Sequence, residues 1–372
     1  MTSRLGLRPP SRGRFRRSRT FLQGHTITDP TLAQAGTLTL LTIPTYDGSG
    51  MAVHPSVYHN PDGWNGYPYW MAMTPYPLAD SAKENPSILC SVDGSTWVVP
   101  DGLTNPIDAY PGGNAYNSDP CLTVDSAGLM WCWWRTAFRA IGPEIIAHRT
   151  SADGVTWSAM VIEWNYDYAV TGYRLVAPSA SLQEDGTWVM YAVDILATPH
   201  RVVRSIRATD GIWSALETVA ITGGASTTQP WHIDVHKVGD AWHMLVTDGG
   251  PSGGDLWAAV SEDGLNFAAG PKLVARGPGW NSAYYKSCFL PATRNGVAGW
   301  DAWLGGLGGD GASLSTTLRR RARRVGHRYR GLGGAGARWS ATGPTIARAF
   351  IRFDSAPANG ASDATLKRRS TL

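Results

Sequence analysis

The sequence is poor in cysteine, in charge and in long apolar runs. Only four cysteines, Cys90, Cys121, Cys132 and Cys288, stand among its 372 residues, and no two form a Cys-x-x-Cys pair; spacing therefore gives no support to a cysteine-built zinc site. No stretch approaches the roughly 18–20 consecutive apolar residues of a membrane-spanning helix, and the N-terminal residues lack the apolar stretch of a signal peptide. Charged residues make up 17% of the chain against an apolar share of 43%, a balance that excludes disorder of the whole. The charge is also unevenly placed. Residues 1–25 hold seven arginines and no acid, residues 306–372 hold 13 basic residues against three acidic, and the 280 residues between them hold 13 basic against 26 acidic. Runs such as Arg319-Arg320-Arg321-Ala322-Arg323-Arg324 lie where hydrophobic periodicity is weak, so the basic ends are read as disordered extensions. Nucleic acid is not the expected partner.

What the chain has in abundance is tryptophan (17) and glycine (43), a pairing that suits short aromatic strands joined by tight turns. A turn signature, Ser-x-Asp-Gly-x-x-aromatic, occurs at Ser91–Trp97, Ser151–Trp157 and Ser261–Phe267, with a copy one residue shorter at Ala208–Trp213. The aspartates, Asp93, Asp153, Asp210 and Asp263, lie 60, 57 and 53 residues apart. Asp-Gly supplies a side-chain acceptor and a positive φ for the turn, and the aromatic residue opens the next strand. Ahead of each turn stands a strand leading to an aromatic strand, beginning at positions 54, 119, 177, 231 and 285. Four strands per unit and five units of about 55 residues predict an all-β, five-bladed β-propeller over residues 30–305, flanked by a basic extension at 1–29 and a basic low-order tail at 306–372. The fifth unit lacks the aromatic turn, and one source for its last strands is the N-terminal segment Thr37–Thr42. If Asp125-Ser126-Ala127-Gly128 closes a hairpin, Cys121 and Cys132 face each other across it, as a disulfide or as two small buried residues.

The turns resemble the Asp-box (BNR) repeats of sialidases. The unit count, and strand openings such as Asp119-Pro120, look more like the five-bladed glycoside hydrolases of the arabinanase, xylosidase and invertase type. The resemblance covers about residues 45–304. It implies a site where the first strands of the blades enter the channel, on the face opposite the Asp-Gly turns, and a poly- or oligosaccharide as partner. Glycoside cleavage needs two carboxylates across the scissile bond. Asp119 is then expected as base or nucleophile, and Glu144 or Glu84, in equivalent places nine residues before their turn aspartates, as acid. This sequence departs from the hydrolase pattern in having His54 at the first-blade position and Ala177 at the third.

Substrate binding on the same face is expected from His54, Trp70, Tyr76, Arg135, Arg174, Trp231, His232, Asp248 and Tyr285: flat apolar rings, a bidentate arginine pair and polar channel groups. Trp64 and Tyr284 belong to the same aromatic set, and Asp194, His200 and Asp255 to the loops of that face. Trp97, Trp131, Trp157, Trp188, Trp213 and Trp242 recur at repeat positions and are assigned to packing. His54 and His232 show no third ligand at a fixed spacing, so no metal and no cofactor are expected. A non-catalytic carbohydrate-binding module, such as a surface or phage tail component, is the competing reading. A sialidase, with Arg135, Arg174 and Arg204 around a carboxylate and Tyr173 or Tyr285 as nucleophile, ranks below both. A sugar-directed propeller of this kind is expected outside the cell or on a virion surface.

Overall fold

A computed structural model describes residues 33–35, 39–113, 115–138, 143–223, 229–252, 254–273, 283–294, 297–307 and 344–353. The strands, in chain order, are β1 (Ala33–Ala35), β2 (Thr39–Leu40), β3 (Ala52–Trp64), β4 (Tyr67–Pro75), β5 (Ser87–Ser91), β6 (Ala115–Val124), β7 (Met130–Phe138), β8 (Pro143–Ser151), β9 (Val161–Asp167), β10 (Leu175–Leu182), β11 (Trp188–Asp194), β12 (Arg201–Arg207), β13 (Glu217–Thr222), β14 (Pro230–Val238), β15 (Ala241–Asp248), β16 (Leu256–Ser261), β17 (Asn266–Leu273), β18 (Cys288–Arg294), β19 (Val297–Leu307) and β20 (Pro344–Phe353). They fall into antiparallel groups: β3–β5, β6–β9, β10–β13, β14–β17, and β18-β19-β20 with β1 and β2 on the edge of β20. The outer strands β13 and β17 also pair, in parallel, at Ala220–Thr222 and Asn266–Ala268.

The first strands touch one another in the cyclic order β3, β6, β10, β14, β18 and back to β3. The sheets thus surround a common channel, and the fold is an all-β propeller. A belt of side chains ties this inner ring together. On each first strand one side chain accepts a backbone N–H from the next: Ser56 Oγ from Leu122 (2.9 Å), Cys121 Sγ from Ala180 (3.3 Å), Ser179 Oγ from Val235 (2.9 Å) and Asp234 Oδ2 from Phe289 (3.0 Å). Cys288 is bonded in the same way by the backbone of Val57 and completes the circuit. Inner strands of separate sheets share no ladder, so these links satisfy backbone donors that burial would otherwise leave unpaired.

The turn signature works locally and at long range. In the first copy Asp93 Oδ1 accepts the N–H groups of Ser95 and Thr96 (2.7 and 2.6 Å) while Ser91 Oγ accepts that of Gly94 (2.8 Å), and Ser151/Asp153 and Ser261/Asp263 repeat the pattern. Each glycine has a positive φ and lies against an aromatic ring of an adjoining group: Gly94 against Trp303, Gly154 against Trp70, and Gly264 against Tyr191, with Trp242 of its own group beside it.

One expectation is corrected, and another is decided between its alternatives. Residues 306–372 are not all tail, because β20 lies within the last sheet, paired along β19 from Gly299↔Arg352 to Leu307↔Pro344. Ile346, Ala347, Ala349 and Ile351 are buried there, and Arg348 bonds Asp93 O, Ser95 Oγ and Asp301. This short apolar alternation is hidden in sequence by the arginine-rich composition around it. The N-terminal contribution is present as well, with β1 and β2 both paired to β20; residues 1–29 and the rest of the basic ends lie outside the described residues. Cys121 and Cys132 do not bridge: all four cysteines are free and buried, and Cys121 sits opposite Trp133 while Cys132 sits opposite Leu122, which puts the two thiols on different faces of the sheet. Among the described residues, no helix is long and apolar enough to cross a membrane.

Candidate active site

The site begins with an irregularity repeated in three first strands. The register slips between Val53 and Ser56, between Ser118 and Cys121 and between Val176 and Ser179, and in each slip the residue before a proline adopts a left-handed backbone: His54 (φ 56°), Asp119 (φ 56°) and Ala177 (φ 52°). Proline suits a bulge because it has no N–H to lose from the ladder. Left-handed non-glycine residues cost free energy and persist where the surroundings impose them. β14 slips likewise, between Pro230 and His232.

These bulges bring His54, Asp119 and His232 together, with 1%, 3% and 2% of their surfaces exposed. One ligand atom from each lies within 4.8 Å of the others. His232 Nε2 is 3.0 Å and His54 Nε2 3.5 Å from Asp119 Oδ1. Asp119 Oδ2 accepts the Ser118 hydroxyl at 2.9 Å, and His54 Nδ1 meets Thr74 Oγ1 at 2.9 Å. His54 Nε2 and His232 Nδ1 have no hydrogen-bond partner among the described residues, and Asp119 Oδ1 faces the two imidazoles. Burial pushes the His54 imidazole down to about 3, against the pull of the Asp119 charge, and lowers His232 as well, so both rings are neutral at pH 7. Burial raises the Asp119 carboxyl, but His54, His232 and Lys286 outweigh it and hold Asp119 well below the usual carboxylate range. Two neutral imidazoles and one carboxylate converging on orphaned buried atoms make a donor set suited to a divalent transition metal. Asp119 is the third donor beside the two histidines, and no fixed spacing in the sequence marks it.

Around this cluster Glu84 Oε1 lies 3.7 Å from His54 Nδ1, and the Tyr285 ring packs against both imidazoles at 5.1 and 4.2 Å between centroids. Burial first, then the charges of Glu84 and Asp119, raise the Tyr285 phenol well above its ordinary value, and its oxygen takes a hydrogen bond from Trp231. Val53, Tyr285 and Leu307, with Tyr76 and Trp231 packed on them, form an apolar wall beside the cluster.

Several residues expected on the site are placed elsewhere. Glu144 is fully buried, held bidentately by Arg135 (2.9 and 3.3 Å), by Arg174 (2.7 and 2.8 Å) and by Tyr166 (3.3 Å); its charge is taken up by this network, and Arg135 and Arg174 are engaged in the same place. Trp70 is 1% exposed, with its indole N–H on Trp64 O and its ring against Gly154, because β4 turns it into the sheet interface. Trp64 and Tyr284 are buried. Asp248 accepts the N–H groups of Gln229 (2.8 Å) and Gly249 (2.9 Å) and so fixes a turn. Asp194 is buried under Arg201 and two backbone donors, and His200 lies on Pro230 O and the Trp231 ring. Arg204 pairs with Glu217 and Asp263 O near the opposite face, so the three-arginine arrangement is not formed. Lys286, 1% exposed with Nζ 2.6 Å from Pro120 O, was missed: a lysine beside an aromatic opening carries no sequence signal of burial.

No family model matches the chain. A curated protein from Flavonifractor plautii, an A type blood N-acetyl-alpha-D-galactosamine deacetylase, is 27% identical over an alignment of 309 residues that covers 68% of this chain; the chain spans only 40% of that relative's length. Among solved structures, an N-acetylgalactosamine deacetylase from F. plautii in complex with blood group B trisaccharide has a TM-score of 0.69 at 20% identity, covering 86% of this chain and 95% of that one. A thermostable family-43 glycoside hydrolase (TM-score 0.53, 11% identity, 85% and 94% covered) and an exo-1,5-alpha-L-arabinanase from a bovine ruminal metagenomic library (TM-score 0.50, 13% identity, 82% and 94% covered) are similar in fold. These likenesses show the architecture, a propeller of the kind found in glycoside hydrolases.

Proposed function

We propose that the chain is a carbohydrate-active hydrolase that removes the acetyl group from an acetamido sugar at its channel mouth, each strand group being one of five blades. The observation that carries this reading is the His54–Asp119–His232 cluster, three buried donors aimed at one point beside an apolar wall; the named activity of the F. plautii relative agrees with it. The three residues would hold a divalent metal ion, which when bound supplies Lewis-acid polarisation of the amide carbonyl and a more acidic water. Glu84, the second carboxylate of the cluster, is the group to take the proton of the attacking water. Tyr285, kept protonated and held through its oxygen by Trp231, is the donor for the negative charge that develops on the amide oxygen. Val53, Leu307 and Tyr76 exclude water and receive the acyl methyl group. Water and the N-acetyl sugar give the free amine and acetate.

Glycoside cleavage by two carboxylates is less well supported. The His54 ring lies between Asp119 and Glu84, one ring nitrogen toward each, so the space a scissile bond would need holds an imidazole, and Glu144 is enclosed by arginines. The test is incubation with an N-acetylgalactosamine-terminated oligosaccharide and with arabinan, with zinc or with a chelator, beside Asp119→Ala. Acetate and free amine that depend on metal and on Asp119 are expected. Shortened sugar chains would return the glycosidase reading; binding without product would return the recognition module.

A further inference from the structure

We infer that Lys286 is the positioning residue of the site: from within the channel it fixes the bulge that presents Asp119. The inference rests on the metal reading above for one of its two measurements.

Lys286 precedes β18, while Pro120 lies in β6, two groups further round the ring. Its side chain therefore crosses the channel, and Nζ donates to Pro120 O at 2.6 Å. That carbonyl belongs to the irregular stretch between Ser118 and Cys121, where the ladder with β7 is interrupted, immediately after the left-handed Asp119. The lysine supplies a partner to the peptide that follows the strained residue, and a strained backbone persists only when its surroundings over-determine it. The stem of Lys286 is itself fixed on both sides. Tyr285 N donates to Gly305 O (2.8 Å), Tyr285 O accepts Thr247 Oγ1 (2.8 Å) and Ser287 Oγ (3.1 Å), and Gly305 N donates to Ser287 Oγ (3.1 Å). A Cβ on Gly305 would meet Lys286 O, so the strands close tightly over this point. One tripeptide, Tyr285-Lys286-Ser287, thus carries both the ring packed on the two histidines and the cation that sets Asp119. A buried ammonium needs a compensating anion, and Asp119 lies on the bulge that the lysine grips, while Asp119 Oδ1 stays turned to the imidazoles.

The experiment compares Lys286→Met, Lys286→Gln and Lys286→Arg with the parent protein. Cobalt(II) titration followed by visible absorption reads the geometry and affinity of the metal site, and imidazole nitrogen resonances of His54 and His232 read the metal-free cluster. In whichever of the Met and Gln variants folds, cobalt affinity should fall at least about tenfold with an altered spectrum, as for other residues that orient a ligand. The His232 resonances should shift even without metal, and the Arg variant should stay within about threefold of the parent. The sign is decisive. Removal of a positive charge near a cation site would by itself tighten binding, so weaker binding identifies positioning, and equal or tighter binding with unmoved resonances overturns it. If the parent protein takes up no cobalt, the metal reading fails and the metal-free resonances alone decide the role of Lys286.

Discussion

His232 Nε2 stands 3.0 Å from Asp119 Oδ1, although one side chain leaves the first strand of the fourth sheet group and the other that of the second. The contact exists because both strands are bulged where they enter the channel, and it is the geometric centre of the proposed chemistry. Asp119→Asn keeps the shape of the side chain and removes the charge. It should lower uptake of zinc by two orders of magnitude or more while leaving the fold intact, which metal analysis after dialysis, paired with circular dichroism, would check.

Glu144 should behave oppositely. Its removal strands Arg135, which is 4% exposed and whose guanidinium is held charged by Glu144 in spite of burial. Breaking a buried pair in this way costs about 3–5 kcal/mol. Urea unfolding of Glu144→Ala should show a loss of that size; full stability with lost activity would instead give Glu144 a chemical role.

Gly154 tests the packing of the turns. Its φ is +78°, and an added Cβ would run into the Trp70 ring. The left-handed backbone and the overpacking together predict a loss of about 2–4 kcal/mol for Gly154→Ala. Gly48, also left-handed at φ +71° but with open space where its Cβ would stand and nothing within 4 Å, should lose only the backbone part when changed to Ala.

The turn aspartates set an acid limit. Backbone N–H donors, from Thr96 and Ser95 and from Thr156 and Val155, lower Asp93 and Asp153 to about 2, and those around Asp263 lower it as well. A carboxyl depressed in the folded state stabilises at all pH above its ordinary value near 4, and that contribution is lost as pH falls toward 2. Melting temperature should therefore drop between about pH 4 and 2, and Asp153→Asn should lower it at neutral pH while flattening that drop.

Trp70 and Trp231 separate packing from binding. Trp70→Leu should lower stability by about 2–4 kcal/mol through the cavity it leaves and spare glycan affinity. Trp231→Ala should weaken glycan binding, measured by calorimetry, with little change in melting.

Much of the architecture was legible. The spacing of Asp93, Asp153, Asp210 and Asp263 and the recurring strand openings are local signals, written in turn chemistry that works over a few residues. They give the strand groups and the opposition of the turn face to the channel face, and they point to Asp119, His54, His232 and Tyr285. The C-terminal strand was not legible, because its alternation is short and stands among arginines. Neither was the assignment of Glu144 and Trp70. A carboxylate before a turn and a tryptophan in a strand look the same in sequence whether they face a ligand or an arginine and a glycine of another sheet.

The sequence by itself determined the repeating strand-turn units, since each depends on short-range backbone preferences and hydrophobic alternation. Only the tertiary structure decided which of the polar residues converge. The belt from Ser56 to Cys288, the reach of Lys286 to Pro120 and the meeting of His54, Asp119 and His232 all join separate sheets across one channel. Such contacts depend on the order and closure of the ring, and no interval along the chain encodes the distance between two strands that face each other across it.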